Sequence, residues 1–148
     1  MKYQYKFEKI LTIKEREKDE ALSTYQKAVK RFEMVAEELY LLLKKKEDLQ
    51  KFQASKLETG FKVQSIRHYQ RFIGNLEKSI KHYQELVINA RNQMNWCEQL
   101  LQDKNIEMKK YEKMKEKDFE KFQKLLSEIE NKQLDEISTQ SYYQRLGN

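Results

Sequence analysis

Proline is missing altogether from these 148 residues, glycine occurs three times and cysteine once. Sheet proteins reverse direction often and use glycine, proline and similar residues to do it, so this chain cannot supply the turns of a sandwich, a barrel or a doubly wound sheet. A single cysteine makes no internal disulfide. No apolar run approaches a signal-peptide core or a membrane span; the longest, Leu39 to Leu43, has Tyr40 inside it. The simplest expectation is a soluble, cytoplasmic protein. Also lacking are a glycine-rich phosphate loop, a His or Cys cluster at metal spacing, and a serine or cysteine in a nucleophile motif. No catalytic, metal-binding or cofactor-binding residue is therefore expected, and the chain does not read as an enzyme.

What is present is charge. Charged residues make up 36% of the chain and apolar ones 39%, with a formal net charge of +6 divided evenly about residue 60. No part is a dedicated basic tail. Leu, Ile, Val and Phe nevertheless account for 36 of the 148 residues, more than a disordered chain carries, so they should be arranged for burial.

The arrangement is a heptad rhythm. From Phe7, positions suited to a seam return at steps of three and four: Leu11, Lys14, Lys18, Ala21, Tyr25, Ala28, Phe32, Val35, Leu39, Leu42, Lys46 and Leu49. The pattern stops near Gly60, a residue able to close a helix in the left-handed conformation. It resumes at Ile66 and continues through Tyr69, Ile73, Leu76, Ile80, Tyr83, Val87, Ala90, Met94, Cys97 and Leu101, then Lys104, Met108, Tyr111, Lys115, Asp118, Phe122, Leu125 and Ile129. The fold class is all-α: a long two-helix antiparallel coiled coil forming a single domain over 1–148. Helix one is expected over about 5–57, the turn near 58–62, helix two over about 63–138 and a mobile tail over 139–148. A short turn forces antiparallel pairing, so residues whose numbers total about 120 should lie side by side, in a rod whose second helix overhangs beyond about Met114.

His68 and His82 stand two heptads apart, about 21 Å along a helix, too far for one metal ion. Cys97 falls at a seam position and reads as a small apolar filler. Lysines at 44–46 and 109–117 could attract phosphates, but Glu107, Glu112, Glu116 and Glu120 interleave with the second cluster, so nucleic-acid binding is not expected. Apolar residues exceed what one seam uses: Leu22, Val29, Ala36 and Leu43 flank the first stripe, Phe72, Leu86, Leu100 and Met114 the second, and Leu41 and Trp96 point outward. In the overhang, Phe119, Phe122, Leu125, Leu126 and Ile129 need a cover: an extended first helix, a folded-back tail or a partner.

The segment Arg67-His68-Tyr69-Gln70-Arg71-Phe72-Ile73-Gly74-Asn75-Leu76-Glu77-Lys78-Ser79-Ile80 resembles the flagellar export protein FliJ family. The likeness extends to the opening Tyr5-Lys6-Phe7-Glu8-Lys9-Ile10-Leu11, the turn at Gly60 and Asn92-Gln93-Met94, nearly the whole chain. It implies a non-enzymatic component of the flagellar type III export apparatus, similar in fold to the central stalk of rotary ATPases. Implied partners are the hexameric export ATPase, the cytoplasmic region of the export gate's membrane protein, and export chaperones, with peripheral membrane association at the flagellar base through them. The implied gate-contacting positions are Leu42, Leu49, Phe72, Leu76 and Tyr83. The stalk analogy places ATPase-ring contacts near the free helix ends, at Phe7, Ile10, Leu11, Arg16, Phe119 and Phe122. A generic coiled-coil adaptor or injectisome stalk is the alternative, with a helical nucleic-acid binder behind it.

Overall fold

The computed structural model describes residues 2–60 and 62–147. Two helices account for nearly all of them, α1 (Glu8–Thr59) and α2 (Val63–Leu146), and no strand occurs among the described residues. With no proline to remove a donor, neither helix is interrupted, and Gly74 alone is too weak a breaker to end α2. α1 stops where Gly60 adopts φ +96°, and Thr59 donates its hydroxyl to the Lys56 carbonyl one turn back. Among the described residues, no helix is long and apolar enough to cross a membrane.

The element boundaries differ from expectation at both chain ends. α1 starts at Glu8 rather than near residue 5, because residues 2–5 run extended before a turn at 6–7. α2 runs to Leu146, past the expected end near 138 and through most of the tail assigned to 139–148. The weak helix formers Ser138 to Tyr143 each cost only a few tenths of a kcal/mol, too little to stop a helix that meets no proline or glycine before Gly147. Asn148 of the expected tail and Phe61 of the expected turn lie outside the described residues.

Contacts divide the chain into two compact units, Met1–Lys18 with Asp103–Asn148, and Asp19–Gln102. In the first, α1 and α2 are antiparallel partners around Leu11 and Met108, joined by Tyr5 from the extended stretch; Tyr3, Phe7 and Tyr111 pack on that core. The seam lysines keep their stems in the interface and reach carboxylates on the opposite helix. Lys14 Nζ lies 2.8 Å from Glu107, Lys104 Nζ 3.3 Å from Glu17, and Lys115 Nζ 2.9 Å from Glu8. The residue numbers in each pair total about 120, the register the sequence predicts. The Glu107 carboxylate holds the Lys14 ammonium above its usual pKa, and Lys14 in turn holds Glu107 below the usual carboxylate range.

The second unit keeps the same index rule, with Lys46 Nζ 3.4 Å from Glu77 and the Arg91 guanidinium 5.6 Å from the Phe32 ring centre. Its buried side chains are Ala21, Ala28, Leu76, Ile80, Ala90 and Cys97, mostly small ones. Small seam residues let backbones approach closely but bury little area, so larger neighbours such as Tyr25, Phe32, Leu39, Ile73, Val87 and Met94 stay half-buried. Cys97 is 1% exposed, in keeping with its reading as a filler. Every seam position named from the sequence is buried or half-buried except Lys/Asp-rich outliers at Asp118 and the apolar Leu125, which are exposed; Leu126 is half-buried instead.

Candidate functional site

The hollows along the helix surfaces, such as those lined by Tyr5, Lys6 and Lys115 or by Glu107, Tyr111 and Met114, are open to solvent. Among the described residues no group of three or more His, Cys, Asp and Glu could hold a metal ion, and His68 and His82 are both exposed. The chemistry on offer is surface: apolar and aromatic side chains left partly in water beside lysines and arginines.

The five positions assigned to the gate contact all lie in the 19–102 unit, and burial divides them. Leu76 is 6% exposed and belongs to the seam, while Leu42, Leu49 and Tyr83 are half-buried. Phe72 is the accessible member at 45%, with the Lys45 ammonium 5.3 Å from its ring centre. Tyr83 presents an edge to the His82 ring at 5.7 Å. Heptad geometry accounts for the division. Phe72 sits one step outside the seam, at the position that brings it to the same edge as Glu38 and Lys45 of α1, both exposed.

The six positions assigned to the ATPase ring all lie in the other unit. Leu11 is 4% exposed and belongs to the core. Phe7 is half-buried, set edge-on against Tyr5 at 5.9 Å and Tyr111 at 6.3 Å. Ile10, Arg16 and Phe119 are exposed, and Phe122 is half-buried.

What covers Phe119 and Phe122 went unrecognised in the sequence. The Tyr3 ring lies 5.0 Å from Phe119 and 5.3 Å from Phe122, and its hydroxyl donates to Asp118 Oδ2 at 3.1 Å and the Lys115 carbonyl at 3.4 Å. Tyr5, 8% exposed, donates to the Tyr111 carbonyl at 3.0 Å. Burial raises both phenol pKa values, and the Asp118 carboxylate adds to the effect on Tyr3. The extended N-terminal stretch is thus an aromatic strap along α2, and part of the expected overhang is covered from within the chain. The signal was present: Tyr3, Tyr5 and Phe7 alternate with Gln4 and Lys6 in the period of two that an extended segment with one buried side requires.

Beyond the strap the apolar face of α2 continues into water. Leu125, Leu134 and Ile137 are each more than half exposed, and every described residue from 131 onward is exposed.

No solved structure matches the chain. A curated relative, the Flagellar FliJ protein of Bacillus subtilis (strain 168), is 49% identical over 142 residues, covering 96% of this chain and 97% of the relative. The family model described as Flagellar FliJ protein matches residues 2–147, and on these grounds the chain belongs to the flagellar FliJ protein family.

Proposed function

We propose that this protein is a non-enzymatic component of the flagellar type III protein export apparatus. It binds the export ATPase ring and promotes its assembly and activity, and it contacts the cytoplasmic region of the export gate and the export chaperones. The observation that carries this reading is family membership across residues 2–147. Two features of the chain support it. Ile10 and Arg16 are exposed in one unit, with Phe119 still 40% exposed beside the Tyr3 ring, and Phe72, next to the half-buried Leu42, Leu49 and Tyr83, is exposed in the other.

The mechanism is linkage. A ligand that touches several subunits of a ring at once binds the assembled ring more tightly than the isolated subunit, and so shifts the subunits toward the ring. No bond is made or broken by the ligand. Its effect is therefore largest at low ATPase concentration, where the ring is otherwise dissociated, and fades once the enzyme assembles unaided. The location follows from the partners: cytoplasmic, held at the membrane at the flagellar base by the gate.

ATP hydrolysis by the cognate export ATPase, measured across enzyme concentrations with and without this protein, tests the reading. Stimulation at low enzyme that vanishes at high enzyme is the expected result. Stimulation independent of enzyme concentration, or no co-purification of the two proteins, refutes it.

A further inference from the structure

The outward face of α2 between Val63 and Ile88 takes no part in the packing described above. Arg67, Arg71, Lys78 and Lys81 are all exposed there. At about 100° and 1.5 Å per residue they share one strip of helix surface about 21 Å long. None of the four lies within ion-pair distance of a carboxylate among the described residues. Of the two acidic residues between Val63 and Ile88, Glu77 is turned to Lys46 at 3.4 Å, and Glu85 is exposed on the strip one turn beyond Lys81, so the cationic part of the face runs from Arg67 to Lys81. The surrounding sequence is lopsided in the same sense. From Lys44 to Lys81 ten basic residues stand against four acidic ones, a surplus equal to the formal +6 of the whole chain, so the rest of the protein is balanced.

Gly74 lies in the middle of this strip. Glycine in a helix costs about 1 kcal/mol relative to alanine. The fold does not ask for it here, since nothing stands within 4 Å of the place a Cβ would occupy and its φ is not in the left-handed region. A gap between long cationic side chains admits another backbone close to the helix. Val63 and Ile88, 69% and 57% exposed, bound the strip at either end on the same side of α2.

We propose that this face docks an acidic helical segment of a partner protein. Its carboxylates would pair with Arg67, Arg71, Lys78 and Lys81, its backbone would pass over Gly74, and its apolar ends would rest on Val63 and Ile88. Charge complementarity selects the acid, and the line of cations with a central notch selects a rod-like segment over a lipid surface. The strip holds no tyrosine or phenylalanine on which bases could stack, which sets nucleic acid aside. The surface is independent of the gate reading, because Phe72, Leu76 and Tyr83 lie on the opposite side of the same helix.

Fluorescence anisotropy of the full chain with a labelled amphipathic peptide of about 20 residues, glutamates along one helical face and alanines between them, tests the proposal. The peptide should bind, more weakly as salt rises. Reversing two cations together, Arg71→Glu with Lys78→Glu, should cost roughly tenfold in affinity or more. Gly74→Leu should weaken binding several-fold while raising the melting temperature, and since it only adds a side chain to an open helical position it serves even where charge reversal disturbs folding. No peptide binding, equal binding by both variants with helicity intact, or tighter binding to phosphatidylglycerol vesicles or to a DNA duplex than to the peptide would overturn the proposal.

Discussion

Tyr69 carries a buried hydroxyl that finds no hydrogen-bond partner among the described residues, and burial alone raises its pKa. An unpaired buried polar atom costs about 1–3 kcal/mol, so Tyr69→Phe, which removes only the oxygen, should stabilise the protein by about 1 kcal/mol in urea unfolding. A loss of stability would mean that the hydroxyl has a partner after all. Leu76 and Phe72, four residues apart, give the complementary lesson. Leu76→Ala opens a cavity in a seam where the side chain is 6% exposed and should cost about 2–3 kcal/mol, whereas Phe72→Ala, at 45% exposed, should cost less than about 1 kcal/mol. A binding defect in the first confounds packing with contact. Only the second probes the surface. Heptad spacing already put Leu76 in the seam and Phe72 beside it, and the structure agrees; what grouped them as gate contacts was the family resemblance, which carries no information on burial.

The strap is an element the heptad rhythm could not reveal, because its period is two and it is shorter than one helical repeat. Deleting the rings by Tyr3→Ala with Tyr5→Ala should speed amide exchange in residues 103–122 by roughly tenfold or more while amides of 63–100 keep their protection. Its phenols also set a pH dependence. Their folded pKa values lie above the unfolded value of 10.0, so the stability they contribute is complete below pH 10 and is lost as pH rises through the folded values. Glu107 works in the opposite direction. Its folded pKa is depressed below 4.5 by Lys14, so its contribution is present above that value and disappears as pH falls through the folded one. Thermal melts should therefore be flat between these limits and fall at both ends. Glu107→Gln should blunt the acid limb and remove the Lys14 share of the alkaline one, leaving the share of Tyr3 and Tyr5. At the other end of α2 all described side chains from 131 onward are exposed, so truncation after Glu130 should change unfolding stability by less than about 0.5 kcal/mol.

For the molecule, the all-α class, the antiparallel register and the break at Gly60 were legible because they depend on what long stretches repeat: apolar period, absent proline, one glycine at the gap. The ends were not, since helix termination at Leu146 and the extended start before Glu8 depend on small local differences and on tertiary contacts made by Tyr3 and Tyr5. The two sets of candidate contacts fall in different units of the chain, which makes a division of labour testable. The most direct measurement pairs ATPase stimulation at low enzyme with capture of the gate's cytoplasmic region, for Phe72→Ala and for Arg16→Glu combined with Phe119→Ala. The account predicts that Phe72→Ala loses gate capture and keeps stimulation, while the double variant does the reverse. Full stimulation and full capture by both folded variants would contradict it.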